Sequence, residues 1–127
     1  MPCHALSTEL LTASVQIHRN HLFVTGANFW ALHAFYGDLY DALDGWYDRF
    51  AERALADGER SQFQPFSLMV DVPRGNCVDS TCGTLSNVKD MAEGIYEDED
   101  PSSKAMIDEL VEFLDKMCWQ LESLGAK

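Results

Sequence analysis

Between His21 and Arg53 the apolar positions recur at steps of three and four. Phe29, Leu32, Phe35/Tyr36, Leu39, Leu43, Trp46, Phe50 and Ala54 make one continuous stripe, the pattern of a helix with a single buried face. Nothing interrupts it before Gly58. Gly37 and Gly45 only weaken it, by about 1 kcal/mol each relative to alanine, so the spacing predicts a helix of roughly thirty residues, about 45 Å long. Just before it, in Thr25-Gly26-Ala27-Asn28, Gly26 can end one helix and Asn28 can cap the next. Upstream, Leu6, Leu10, Ala13, Ile17, His21 and Val24 line one face of an earlier helix. That helix is expected to start at a Ser7 or Thr8 cap and to reach about Val24. So short a connection returns the second helix antiparallel to the first.

From Glu59 to about Leu85 the periodicity fails, broken by Pro65, Pro73, Gly75 and Gly83. Phe66 to Val72 reads as a short extended segment. A crossover this long is often an interaction surface, so a protein partner is expected in the 59–85 region. Ser86 or Asn87 can cap a short third helix reaching about Tyr96. The acidic run Glu97-Asp98-Glu99-Asp100, followed by Pro101, then makes a connector. Ser102 or Ser103 opens a last helix, whose Met106, Leu110, Phe113/Leu114, Met117, Leu121 and Leu124 face one way until Gly125. The elements are all α: two long helices, an irregular crossover, a short helix and a third long helix.

At 127 residues the chain is expected to be one domain, 1–127, able to build a single core. It holds no apolar run of about 18 residues and no basic leader followed by an apolar block. A cytoplasmic protein with no membrane association is therefore expected. With 21 acidic and 9 basic residues the net charge is −12. A phosphate backbone would be repelled, so direct DNA binding is disfavoured, whereas cations would be drawn in. Of the four cysteines, only Cys77 and Cys82 are close in sequence, and their spacing is neither a zinc knuckle nor a redox pair. In a reducing compartment all four are expected as free thiols.

Candidate chemistry lies on the first two helices. His21 precedes the turn and His33 follows it, so an antiparallel hairpin sets them at nearly the same level. Asp48 and Glu52 stand one turn apart on one face of the second helix, a spacing by which two carboxylates share a cation. Yet His33 and Asp48 are 15 residues apart, about 22 Å along the axis. One chain cannot bring all four to one ion. Two copies paired about a two-fold axis can, because the histidine end of one then meets the carboxylate end of the other and two equivalent sites arise. Mixed imidazole and carboxylate donors suit iron or another first-row divalent metal. The competing reading makes His21 and His33 hydrogen-bonded core histidines, pairs Asp48 with Arg49 or Arg53, and leaves Glu52 solvated.

The register of these residues resembles a known family. His21, then Val24, Gly26, Phe29, Leu32 and His33, then Tyr40, and finally Asp48, Ala51, Glu52 and Arg53 look like the first helical hairpin of the Dps miniferritins, within the ferritin-like superfamily. The resemblance implies a ferritin-like antiparallel four-helix bundle, here with a long irregular crossover and a shortened third helix. It also implies a ferroxidase site shared between two subunits, with His21 and His33 from one chain and Asp48 and Glu52 from its mate. Fe(II) would be oxidised to Fe(III) there, by peroxide or oxygen, for iron storage and peroxide protection. Glu52 would be the bridging or shared ligand. The family assembles as a dodecamer built on two-fold dimers. This chain departs from the pattern at three places. Gly37 stands where the family has a carboxylate, Leu22 where a tryptophan is common, and the crossover and third helix are rebuilt in a region that contributes assembly contacts. The alternative that these departures imply is a non-catalytic ferritin-like structural or protein-binding module with a decayed metal site.

Overall fold

The computed structural model describes residues 3–125. Four helices run α1 Cys3–Phe23, α2 Phe29–Ala56, α3 Val78–Ile95 and α4 Pro101–Gly125, with short 3-10 turns at Arg60–Gln62 and Tyr96–Asp98. Among the described residues there is no strand. No helix there is long and apolar enough to cross a membrane.

The core is the set of stripes visible in the sequence. Leu6, Leu10, Ala13 and Ile17 of α1 meet Leu32, Tyr36, Leu39, Leu43 and Phe50 of α2, and Val88 and Ala92 of α3 and Ile107, Leu110 and Leu114 of α4 close the other side. The α1/α2 hairpin is the most extensive contact in the bundle. Its turn is made by Gly26, whose φ of +117° is closed to residues with a side chain except at a steric cost. Asn28 occupies the cap position of α2 without capping it. Its side-chain amide instead donates to the Leu124 carbonyl at 3.0 Å, tying the turn to the end of α4.

Three boundaries differ from the sequence expectation. Helix α1 starts at Cys3, so Ser7 is an interior residue whose hydroxyl donates to the His4 carbonyl. At the other end of the chain, α4 is capped by Asp100, which accepts the Ser103 backbone N–H at 2.8 Å, with Pro101 as the first helical residue. This is the position where proline's missing donor costs nothing. The Ser103 hydrogen bond, and after it the Arg53 guanidinium, hold the Asp100 carboxyl below its ordinary value.

The largest difference is α3, which begins at Val78, not at Ser86, so the crossover spans residues 57–77. At 18 residues α3 remains the shortest of the four helices. The Asn76 side chain accepts the Val78 N–H, and Val78, Thr81, Leu85, Val88 and Ala92 form the buried face. Thr81 can be buried because Asn20 of α1, itself fully buried, donates to its hydroxyl at 2.8 Å.

The crossover is irregular but anchored. Gln16 of α1 accepts the Asp71 N–H at 2.7 Å and donates to the Asp71 carbonyl at 3.2 Å, so its amide pairs with that residue's backbone on both sides. Thr25 N–H donates to the Gly75 carbonyl, and the Tyr36 hydroxyl to that of Asn76.

The cysteines correct the free-thiol expectation. Cys82 of α3 and Cys118 of α4 are joined in a disulfide, with Cα atoms 5.4 Å apart. Cys3 and Cys77 are free and buried.

Candidate metal centre

His21, in the last turn of α1, and His33, one turn into α2, face each other across the hairpin, as their spacing predicts. Their imidazoles stack with centroids 3.8 Å apart and planes 16° from parallel. The hydrogen bonding is reciprocal. Nδ1 of His21 lies 2.7 Å from the His33 carbonyl oxygen, and Nδ1 of His33 lies 2.7 Å from the His21 carbonyl oxygen. A carbonyl only accepts, so both Nδ1 atoms carry the proton. In this tautomer of the neutral ring, Nε2 is the atom that carries the lone pair. A histidine whose far nitrogen is fixed by a backbone carbonyl is the usual state of a metal-ligating imidazole. Both residues are half-buried.

The rings are held on both sides. Phe29, one turn before His33, stacks on it at 5.2 Å. Gly37, one turn after His33, lies against the His21 ring, and a Cβ added there would sit 3.1 Å from Cε1 and 3.2 Å from Nδ1. The ring occupies space that a side chain at position 37 would need. Tyr40 lies 5.5 Å from His21 and stacks on His18 at 3.9 Å. Sequence reasoning singled out the two histidines and named Phe29, Gly37 and Tyr40 as positions of the family register, without their contacts to the rings. The i−4 spacing of Phe29 from His33 was the local signal for such a contact.

Asp48 and Glu52 are exposed on the second half of α2. Among the described residues, no three of His21, His33, Asp48 and Glu52 bring ligand atoms within 4.8 Å of one another. The pairings that would have occupied the carboxylates are not made. Arg49 bonds Glu109 at 3.2 Å, while Arg53 pairs with Asp57 at 3.4 Å and Asp100 at 2.6 Å. Around the histidines, Leu22 and Phe23 of α1 and Trp30 of α2 are exposed, Trp30 by 81%.

Comparison with known proteins bears on the fold and the family. The model of the ferritin-like domain matches residues 4–126. A protein of Brevibacillus brevis described as a DNA protection during starvation protein is 29% identical, over 86% of this chain and 82% of that protein. The crystal structure of Dps92 from Deinococcus radiodurans superposes with a TM-score of 0.80 at 22% identity, covering 95% of this chain and 81% of that one. At that identity the superposition speaks for the fold. The chain belongs to the ferritin-like domain family, and its likenesses within that family are to Dps proteins.

Proposed function

We propose that this protein binds Fe(II) as a substrate and oxidises it at a site completed by two copies of the chain, giving peroxide protection and iron storage. The observation that carries this reading is the reciprocal hydrogen bonding of the stacked His21 and His33 rings, which occupies both Nδ1 atoms and leaves the two Nε2 atoms as candidate donors to a metal. Asp48 and Glu52 of a second copy supply the oxygen donors, being exposed and in no ion pair among the described residues. The mixed donor set suits a ferrous ion. Two such ions provide the two electrons that cleave the O–O bond of one hydrogen peroxide to hydroxide. The histidines hold the ion while it loses its electron, and the acidic surface, at net charge −12, raises the local cation concentration.

A second reading has Gly37 in its favour: the position lacks a carboxylate and its space is taken by the His21 ring, as in a bundle that keeps its scaffold without the chemistry. Anaerobic Fe(II) titration followed by peroxide, with His33→Ala and Glu52→Ala beside the wild type, separates the two. Saturable binding and oxidation that both variants lose support the shared site. Binding no stronger than that of the variants makes the protein a scaffold.

A further inference from the structure

On the side of the bundle made by α3 and α4, the disulfide lies beside a carboxylate. Cys82 is on α3 and Cys118 on α4, with Glu122 one turn beyond Cys118 and on the same face. The two Sγ atoms and a carboxylate oxygen of Glu122 all lie within 4.8 Å of one another. Among the described residues no other group of histidine, cysteine and acidic side chains meets that condition. A cavity of about 150 Å³ opens beside the two cysteines, lined by Cys82, Ser86, Cys118 and the Lys89–Asp115 ion pair over Leu85 and Leu114. Both cysteines are half-buried and Glu122 is exposed, so the cluster can be reached from solvent. The other two thiols differ. Cys3 and Cys77 are buried, and burial pushes the Cys3 thiol up to about 12.

We propose that Cys82, Cys118 and Glu122 form a site for a thiophilic divalent cation of the zinc type, open when the two sulfurs are thiolates and closed when they are joined. Two thiolates and one carboxylate are a donor set that zinc accepts in tetrahedral geometry, with water in the fourth position. It is softer than the histidine and carboxylate set of the α1/α2 hairpin, so the two sites sort metals by chemistry. The disulfide is the oxidised, metal-free form. With hydrogen peroxide as oxidant, each thiolate gives up one electron and the S–S bond forms. The O–O bond breaks, and its oxygens leave as two waters after taking two protons from solution. The cation keeps a single carboxylate and dissociates.

The test uses full-length protein, reduced and freed of reductant under anaerobic conditions, then titrated with cadmium while the ultraviolet sulfur-to-cadmium charge-transfer band is followed. One cadmium per chain is expected, in the wild type and equally in His21→Ala/His33→Ala. The band is expected to vanish in Cys82→Ser and Cys118→Ser, and affinity to fall at least about tenfold in Glu122→Gln. Peroxide should release the cation as two titratable thiols per chain disappear. A band that persists without Cys82 and Cys118 assigns the ligation to other thiols and overturns the proposal. So does reduced wild type that gives no band, or cation that stays bound after the disulfide has formed. Glu122→Gln alters an exposed side chain and keeps both cysteines, so it still decides the matter if the serine variants do not fold, an unchanged affinity counting against the site.

Discussion

A single methyl group at position 37 is the smallest change that tests the histidine pair. In Gly37→Ala the new Cβ would meet the His21 ring at 3.1 Å, tighter than normal carbon contact. The ring must give by a few tenths of an ångström, which strains its hydrogen bond to the His33 carbonyl. Complete loss of such an orienting bond costs about 10- to 100-fold in metal affinity, so a smaller loss is expected in an Fe(II) or Co(II) titration. Gly37→Asp should lose affinity too, although it supplies the carboxylate that the Dps pattern has at this position, because its Cβ meets the same ring. A gain in affinity for Gly37→Asp would show that the ring can yield. The two histidines were legible because the turn between them is short and the periodicity on both sides fixes their level. The role of Gly37 was not. In sequence a glycine inside a helix reads as a weak point, whereas here its contact is with a ring on another helix.

At the level of elements, the middle of the crossover is tied to α1 by one side chain. Gln16 is 8% exposed and bonds both backbone groups of Asp71. Gln16→Met keeps the bulk but removes the partner of both Asp71 backbone groups and of the buried Asn20 amide oxygen, which Gln16 Nε2 reaches at 3.1 Å, at a cost of about 1–3 kcal/mol. Urea melts should register that loss, with faster proteolysis between Phe63 and Arg74 and little change in helical circular dichroism. Unchanged cleavage would mean that Thr25 and Tyr36 suffice to hold the segment. The same buried polar residues explain why the start of α3 was misplaced. Thr81 looked like a loop residue among Gly75, Gly83 and polar neighbours, but Asn20 satisfies its hydroxyl within the core, so the helical face continues through it. Pairings between distant helices leave no local signature, and for that reason the disulfide across 36 residues was also unreadable. Loop-closure entropy credits such a link with about 3–4 kcal/mol.

For the whole molecule the question is what covers the face around the histidines. Leu22, Phe23 and Trp30 are exposed beside them, and an exposed tryptophan next to apolar neighbours is the composition of an interface anchor. Trp30→Asp should therefore weaken self-association by more than about tenfold, read by light scattering across a dilution series. Its effect on the melting of the isolated chain should be small, since surface changes of this kind stay within about 0.5 kcal/mol. Equal masses for variant and wild type at every concentration would remove the two-fold pairing on which the shared site depends. The bundle itself was legible from its stripes, because an amphipathic helix has to bury its face against another.

The crossover bears on that pairing in electrostatic terms. A molecule of net charge −12 repels its own copies over about a Debye length, roughly 10 Å at 0.1 M salt. From Phe63 to Pro73 the sole charged residue is Asp71, while Phe66, Leu68, Met69 and Val72 are exposed. This segment is a nearly neutral window in an acidic surface. Another acidic molecule can approach there at the least repulsive cost, and added salt, which relaxes repulsion elsewhere, should change encounters through this window the least.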